Sequence, residues 1–212
     1  MMFRNRAAAG VQLAKALQLY HRQPHTIVLA LPRGGVVVGY QVAKQLRLPF
    51  DIMVVRKLGA PNNAEFAIGA ITANGQAMID DDTVQHYNIT IGDLEKIIRR
   101  EQHEAQRRLQ LYRGGRAALH VKNTTAILVD DGIATGYTMR AAITAIRQAG
   151  AQKIIVAVPV APADSVAQLS LQVEQLVCLN TPNNFQAVGQ WYENFDQTDD
   201  AEVIRLLHLS RS

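Results

Sequence analysis

The sequence of 212 residues contains a single cysteine, Cys178, and a single tryptophan, Trp191. One cysteine excludes a disulfide scaffold and cannot supply the several thiolates of a structural zinc site. Because Cys178 lies in the apolar run of residues 176–179, we interpret it as a small buried hydrophobic residue. The sequence also lacks any apolar run near the roughly 20 residues that a membrane-spanning helix needs, so no membrane partner is expected.

Negative charge is missing from the beginning of the chain, where the first acidic residue is Asp51. Seven lysines and arginines precede it, and the formal net charge of the chain is +4 at pH 7. This basicity favours an anionic partner, either nucleic acid or a phosphorylated small molecule. An acid-free beginning is also typical of a targeting segment, but residues 26–31 already have the pattern of a buried strand. We therefore expect a cytoplasmic protein.

Apolar strand-like segments alternate with helix-like segments, without an internal repeat or a linker, so one domain is expected over residues 1–212. Strands are predicted over residues 27–31, 50–55, 125–129, 154–160 and 175–179. The predicted helices include residues 7–19, 36–46, 91–112, 138–149 and 199–209, and residues 67–71 and 76–79 predict a hairpin. Strands that are apolar on both faces predict an α/β fold with a central parallel sheet covered by helices on both faces. In such sheets ligands bind beyond the carboxyl ends of the strands.

Two adjacent aspartates, Asp130 and Asp131, follow the predicted strand at residues 125–129. At the end of a buried strand they repel each other and lose hydration unless a positive or hydroxyl-bearing group satisfies them. The turn after them is small and leads into a helix, so its backbone amides can surround an anion. One loop thus offers acceptors for sugar hydroxyls and donors for a phosphate, which fits a phosphorylated ribose.

Residues 126–138, AILVDDGIATGYT, resemble the phosphoribosyl-pyrophosphate (PRPP) signature of the type I phosphoribosyltransferases. The resemblance extends over most of the chain to a little-characterised bacterial subgroup of that family. It implies that Asp130 and Asp131 hold the ribose 2′ and 3′ hydroxyls. It also implies a 5′-phosphate site that consists of Gly132, Ile133, Ala134, Thr135, Gly136, Tyr137 and Thr138. Gly132 departs from the signature, which usually has an aliphatic residue or serine at this position.

Two other interpretations of this loop compete less well. Receiver domains that accept a phosphoryl group also carry paired aspartates after a strand. They need a further aspartate at another strand end, whereas residues 159–162 read PVAP. A helix cap at Thr135 or Thr138 would explain the threonines but not the paired acids.

A second loop, formed by Pro32, Arg33, Gly34 and Gly35, also follows a predicted strand and opens a helix. On its own a Gly-Gly pair after a strand is weak evidence for a phosphate site, and the alternative is a turn with a surface arginine. The family resemblance implies that it is the short pyrophosphate loop, in which Arg33, Gly34 and Gly35 contact the pyrophosphate.

The resemblance implies further basic contacts at the end of the next predicted strand, where Arg56 and Lys57 would reach the pyrophosphate. The predicted catalytic residues are then Asp130, Asp131, Lys57 and Arg33. Residues 57–80, which begin with a predicted loop over residues 58–66, occupy the place of the family's mobile lid. Glu65 in that loop is a candidate contact to substrate or to metal-bound water.

A hood over the acceptor is implied for residues 180–195. Phe185, Trp191 and Tyr192 are its candidate aromatic residues, which could stack on a base. The alternative is that Trp191 and Tyr192 pack the carboxyl-terminal helix onto the sheet.

The activity implied by the resemblance is transfer of the 5-phosphoribosyl group from PRPP to a nitrogen nucleophile, a nucleobase or related heterocycle, with release of pyrophosphate. This would place the protein in nucleotide metabolism. Mg²⁺, held mainly by PRPP and water, is the expected cofactor. PRPP and an unidentified acceptor are the expected partners, and a homodimer is left open.

Two alternatives remain open: a regulatory protein that binds PRPP without catalysis, and a hydrolytic or nucleotide-handling enzyme that reuses the fold. The histidines show no metal-ligand spacing. No helix-turn-helix or aromatic RNA platform is recognisable, which argues against a nucleic-acid partner.

Overall fold

The structure is a computed structural model that describes residues 1–61, 63–118 and 120–210. Within these ranges the strands are β1 (Thr26–Ala30), β2 (Phe50–Ile52), β3 (Val55–Ala60), β4 (Asn63–Thr72), β5 (Ala77–Ile79), β6 (Thr125–Val129), β7 (Lys153–Val160) and β8 (Gln175–Asn180). The α-helices are α1 (Arg6–Ala16), α2 (Gly34–Leu46), α3 (Asp81–His86), α4 (Ile91–Arg113), α5 (Tyr137–Gln148), α6 (Ala163–Ser170) and α7 (Asp200–Leu209). Short 3₁₀ helices cover Gln18–Tyr20 and Val188–Trp191.

The central sheet consists of five parallel strands in the order β2-β1-β6-β7-β8. Successive side chains of a strand point to opposite faces of the sheet, so an apolar strand contributes side chains to a hydrophobic core on each face. In β1, Val28 packs with residues of α1, α2, α4 and α7, whereas Leu29 packs with residues of α5 and α6. This arrangement confirms the predicted α/β fold with helices on both faces of a parallel sheet.

The order of the strands places a switch point between β1 and β6. From β1 the chain returns to the edge strand β2, whereas β6 pairs on the other side of β1 and is followed by β7 and β8. Loops that leave neighbouring strands in opposite directions open a crevice at the carboxyl edge of a sheet. The two loops at this switch point are the two that carry the sequence motifs.

A second sheet of three antiparallel strands, in the order β3-β4-β5, corrects the prediction for residues 50–66. Strand β2 ends at Ile52, so Arg56 and Lys57 lie inside β3 and not at the end of a central strand. The predicted loop over residues 58–66 is largely the hairpin of β3 and β4, although Asn62 lies outside the described residues. Met53 and Val54 connect the two sheets without a glycine, proline or asparagine, so the sequence carries no turn signal at this break.

Other local predictions agree with the structure. Strands β4 and β5 confirm the predicted hairpin of residues 67–71 and 76–79. Helix α4 confirms the predicted charged helix, and its Glu104 carboxylate lies 2.8 Å from Arg108 Nε. The apolar side of α4 packs on the second sheet, where Ile97 contacts the cluster that contains Leu58. None of the described helices combines the length and hydropathy needed to cross a bilayer.

Candidate functional site

The loops that follow β1 and β6 are in direct contact. The Leu31 amide donates to the Val129 carbonyl at 2.9 Å, which continues the pairing of the two strands by one residue. Beyond this bond, a β-carbon built on Gly34 would lie 1.9 Å from Asp131 Oδ2. A β-carbon on Gly35 would lie 2.8 Å from Asp130 Oδ1. Any side chain at residue 34 would displace the carboxylate, so this close approach requires glycine.

The two aspartates have different surroundings. Asp130 Oδ1 accepts a hydrogen bond from the Asp131 amide at 2.8 Å. Burial, and next the neighbouring charge of Asp131, raise the pKa of the Asp130 carboxyl well above its usual value. The Asp131 carboxylate has a cationic partner, because Arg6 Nε lies 2.6 Å from its Oδ2. The pair is therefore asymmetric, with one acid that resists ionisation and one that is neutralised by an arginine.

Arg6, the first residue of α1, is a site residue that the sequence did not reveal. Its Nη1 donates to the Asp196 carbonyl at 2.6 Å, and its guanidinium lies 3.7 Å from the centre of the Phe195 ring. The Asn5 side chain caps α1 by accepting a hydrogen bond from the Ala8 amide at 2.9 Å, which fixes the backbone beside Arg6. Positions 6 and 131 are 125 residues apart, and no local pattern connects them.

The loop between Asp131 and α5 has donors without partners. Within the described residues, the backbone amides of Ala134, Thr135 and Gly136 donate no hydrogen bond, and the first two residues are exposed. They precede the first turn of α5, where helix geometry leaves further amides unpaired and the dipole favours an anion. This is the geometry that a phosphate site needs. Thr138 lies half-buried in that first turn.

Other residues of this loop have structural partners. The Ile133 amide donates to the Val160 carbonyl at 2.9 Å, and the Ile133 side chain is buried, so Ile133 anchors the loop to β7. The Tyr137 hydroxyl donates to the Asp80 carboxylate, which links the loop to the start of α3. Gly132 lies beneath Val188 of the second 3₁₀ helix.

Arg33 lies between the loop after β1 and the start of α7. Its Nη1 is 3.8 Å from Asp200 Oδ1, which also accepts a hydrogen bond from the Tyr112 hydroxyl at 2.7 Å. The peptide bond between Pro32 and Arg33 is cis. The backbone of Arg33 thus belongs to the predicted pyrophosphate loop, while its side chain contacts the carboxyl-terminal helix.

Arg56 and Lys57 lie on opposite faces of β3. Arg56 Nε and Nη2 donate to Glu101 Oε2 of α4 at 3.0 and 2.7 Å. Lys57 shares its face with Val55, which packs with residues of α5. The structure therefore separates two residues that the sequence treated as one basic contact. The side chain of Glu65 lies outside the described residues.

The predicted hood is joined to the beginning of the chain. Phe3 and Tyr192 form a parallel β-bridge, with the Phe3 amide 2.8 Å from the Trp191 carbonyl and the Glu193 amide 2.8 Å from the Phe3 carbonyl. We call residues 3–6 together with residues 191–196 the clasp. The Tyr192 hydroxyl donates to the Asp131 carbonyl at 2.5 Å. The clasp is thus attached to the predicted ribose site through two side chains, Tyr192 and Arg6.

The packing of the hood aromatics corrects the alternative prediction. Trp191 and Tyr192 pack with Phe3 and Val160, in a cluster that also contains half-buried Phe185 and Phe195. The buried residues of α7 belong instead to the core formed with α2 and α4. The prediction that Trp191 and Tyr192 pack the carboxyl-terminal helix onto the sheet is therefore wrong, because these residues pack the amino-terminal segment.

The described side chains of the candidate site form no recognisable metal centre. Among the described residues, no group of three or more histidines, cysteines, aspartates or glutamates could hold a metal ion. Asp131 is paired with Arg6, and Asp130 resists ionisation. These residues do not fit a metal held by the protein itself, so a magnesium ion would need its oxygen ligands from substrate and water.

Comparison with known proteins identifies the family. The model of the phosphoribosyl transferase domain matches residues 4–193, a range that includes Arg6, both site loops and Tyr192. The chain belongs to the phosphoribosyltransferase family. It is 43% identical over 206 residues to a Mycobacterium tuberculosis protein that is provisionally named a phosphoribosyl transferase, and the same match is found in two strains. The match covers 97% of this chain but 46% of the relative, so the chain spans about half the length of these relatives.

Solved structures share the fold of this chain. The crystal structure of TT1426 from Thermus thermophilus is 38% identical, with a TM-score of 0.82, and the match covers 98% of each chain. A hypoxanthine-guanine phosphoribosyltransferase from Bacillus anthracis is 11% identical, with a TM-score of 0.50 over 92% of each chain, and shows the shared fold alone. The resemblance inferred from residues 126–138 is thus confirmed for the phosphoribosyltransferase domain.

Proposed function

We propose that this phosphoribosyltransferase domain transfers the 5-phosphoribosyl group of PRPP to a nitrogen of a nucleobase or related heterocycle and releases pyrophosphate. The observation that carries the proposal is the contact of the two loops at the switch point, where Gly34 approaches the Asp131 carboxylate. Acceptors for ribose hydroxyls and donors for phosphate groups meet there in one crevice. PRPP has both kinds of group on one small molecule.

The ribose and its 5′-phosphate have separate sites in this proposal. Asp131, paired with Arg6, accepts hydrogen bonds from ribose hydroxyls, and Asp130 completes the pair. The unpaired amides of Ala134, Thr135 and Gly136 donate to the 5′-phosphate, which also lies at the positive end of the α5 dipole. Recognition of both ends fixes the position of the ribose C1 atom.

The transfer breaks the bond between ribose C1 and the pyrophosphate oxygen, and the electron pair leaves with the pyrophosphate. The nitrogen lone pair of the acceptor forms the new bond to C1, and the proton of that nitrogen passes to solvent. Positive charge develops on the ribose ring near the Asp130 and Asp131 carboxyl groups. The pyrophosphate charge is met by the amides of Gly34 and Gly35 and by Arg33 and Lys57. A magnesium ion bound with PRPP would add positive charge beside the pyrophosphate.

Water must be excluded, since it would otherwise hydrolyse PRPP in place of the acceptor. We propose residues 57–80 as the lid and residues 180–195 as the hood. Both segments touch the predicted phosphate loop: Asp80 accepts the Tyr137 hydroxyl, and Val188 packs on Gly132. These contacts support the proposal that both segments cover the loop.

Product analysis tests this proposal. The protein is incubated with PRPP, Mg²⁺ and a panel of purine bases, pyrimidine bases and smaller heterocycles, and pyrophosphate and phosphoribosylated products are measured by mass spectrometry. We expect acceptor-dependent release of pyrophosphate with one class of base. Binding of PRPP without release would overturn the transfer and support a regulatory protein. Release without a phosphoribosylated acceptor would overturn it in favour of hydrolysis.

A double variant, Asp130→Asn with Asp131→Asn, tests the site itself. It should weaken PRPP binding by at least about 2 kcal/mol, the scale of losing charge-assisted hydrogen bonds. Asp164→Asn is the matched control, because Asp164 is an exposed acid in the first turn of α6. Equal affinity of the double variant and the wild type in calorimetry would remove Asp130 and Asp131 from the proposed site.

A further inference from the structure

Arg6 connects Asp131, a carboxylate of the proposed ribose site, to both parts of the clasp. Its side chain is 11% exposed, and its contacts include Asp131 Oδ2 at 2.6 Å, the Asp196 carbonyl at 2.6 Å and the Phe195 ring at 3.7 Å. A guanidinium is a rigid planar fork, so two hydrogen bonds and one stacked ring fix its orientation. The position of the Asp131 carboxylate is fixed in turn.

Asp131 keeps one oxygen for a ligand. Arg6 Nε donates to Oδ2, and within the described part of the chain no donor pairs with Asp131 Oδ1. A carboxylate has several acceptor positions, so it can hold Arg6 and a ribose hydroxyl together. Arg6 therefore need not leave the site when substrate binds.

We propose that Arg6 is a positioning residue of the ribose subsite, which holds Asp131 so that its free oxygen faces the ribose hydroxyls. It acts from the clasp, so the ribose subsite depends on the pairing of residues 3–6 with residues 191–196. This inference rests on the proposed function, because it assigns a role within the PRPP site. It adds a residue that acts through Asp131 and does not itself touch the reacting atoms.

The positive charge of Arg6 is its second contribution to the proposed ribose subsite. Among the described residues, the titratable side chains that contact Asp130 or Asp131 from other elements are Arg6 of α1 and Tyr192 of the hood. Burial raises the pKa of the Tyr192 hydroxyl, so it stays neutral. Gly34 and Gly35 face the pair from the loop after β1 and carry no charge. The Arg6 charge acts to lower the pKa of Asp130 against the effects of burial and of Asp131, so removal of the Arg6 cation would let Asp130 hold its proton to higher pH.

Calorimetric titration with PRPP, and separately with inorganic pyrophosphate, tests the role. Arg6→Gln should lower the affinity for PRPP about tenfold or more, the loss expected for a hydrogen bond to a charged group. Its affinity for pyrophosphate should not change, because pyrophosphate has no ribose. Lys15→Gln is the matched control, since Lys15 is an exposed cation in the last turn of α1, outside the clasp. This control should bind both ligands like the wild type.

The pH profile separates positioning from a merely structural contribution. On acidification, PRPP binding by Arg6→Gln should weaken at a higher pH than binding by the wild type. Arg6→Lys keeps the charge and should return the profile toward that of the wild type, although its affinity stays lower because lysine lacks the planar fork.

The outcomes distinguish this inference from the proposed function. If the wild type does not bind PRPP, both are overturned. If it binds PRPP and Arg6→Gln binds equally well with the same pH profile, only the role of Arg6 is overturned. Loss of PRPP and pyrophosphate binding together would show a structural effect and would also overturn it. Should Arg6→Gln fail to fold, Phe195→Leu removes the stacked ring with Arg6 and Asp131 intact, and unchanged PRPP affinity would then refute the inference.

Discussion

Val188 packs so closely on Gly132 that a β-carbon built at residue 132 would lie 2.5 Å from Val188 Cγ1. Val188 begins the 3₁₀ helix of the hood, whereas Gly132 follows the two site aspartates. The hood thus rests directly on the predicted phosphate loop. The contact gives a physical reason for glycine at a position where related signatures usually have a larger residue, because Val188 fills the space that such a side chain would take.

Gly132→Ala is expected to destabilise the protein by about 1–3 kcal/mol, the usual cost of overpacking. Val188→Ala alone should cost about 1 kcal/mol, because Val188 is half-buried and loses two methyl groups. In the double variant the new methyl group occupies the space vacated at residue 188. In urea unfolding, the double variant should therefore lose less stability than the two single variants lose together. Simple additivity of the two losses would contradict the contact.

The raised pKa of Asp130 predicts a stability that falls as pH rises. The folded chain holds the Asp130 proton to higher pH than the unfolded chain does. Between the unfolded value of about 3.9 and the raised folded value, the folded state binds more protons, so the free energy of unfolding decreases with pH. Asp130→Asn cannot lose a proton and keeps the acceptor for the Asp131 amide. It should raise the Tm at neutral pH and remove this part of the pH dependence.

The difference between two melting curves isolates this effect. Glu104 has its pKa lowered to about 2 by Arg107 and Arg108, and carboxyl groups of this kind give the opposite slope in both proteins. Subtraction of the wild-type Tm from that of Asp130→Asn at each pH cancels their contribution. This difference in Tm should grow with pH for Asp130→Asn. For the exposed control Asp164→Asn it should stay constant. A constant difference for Asp130→Asn would contradict the raised pKa.

Local patterns were sufficient to predict the central sheet and the two site loops. Each buried strand has its apolar pattern within a few residues, and each loop is contiguous, so nothing beyond the neighbouring sequence was needed. Arg6 and Val188 were missed because their roles arise only when distant segments meet. Arg56 and Lys57 were assigned to the wrong sheet because Met53 and Val54 carry no turn signal.

The opposite faces of β3 predict different effects for its two basic residues. Arg56→Met removes one of the two arginine partners of Glu101, whose side chain is 9% exposed, and leaves Arg100 as the other. It should destabilise the protein by about 1–3 kcal/mol, because two hydrogen bonds to a buried carboxylate are lost. Lys57→Met should instead lower the affinity for pyrophosphate, since Lys57 is the residue proposed to meet its charge. Chemical unfolding and calorimetry on both variants test whether Arg56 contributes to stability and Lys57 to pyrophosphate binding. Loss of pyrophosphate binding in Arg56→Met, with unchanged stability, would reverse the assignment.

Trp191 and Tyr192 differ in whether their polar atoms are paired, and this difference predicts their roles in the hood. Trp191 Nε1 is buried and donates no hydrogen bond within the described residues, whereas the Tyr192 hydroxyl donates to the Asp131 carbonyl. Tyr192→Phe should lower stability by about 1 kcal/mol, because it removes a formed hydrogen bond. Trp191→Phe removes an unpaired donor, which offsets the loss of ring volume, so its stability should stay within about 1 kcal/mol of the wild type.

An unpaired donor in the hood is a candidate to bind a ring nitrogen or carbonyl of the acceptor. Trp191→Phe should therefore reduce turnover of the acceptor found in the product analysis, while PRPP affinity stays at the wild-type level. The aromatic ring is retained, so any base stacking of about 1–3 kcal/mol is largely kept, and the change reports on the N–H group. Steady-state kinetics with varied acceptor, beside calorimetry with PRPP, makes the measurement. Unchanged acceptor kinetics would assign Trp191 to packing against Phe3 and Val160 alone.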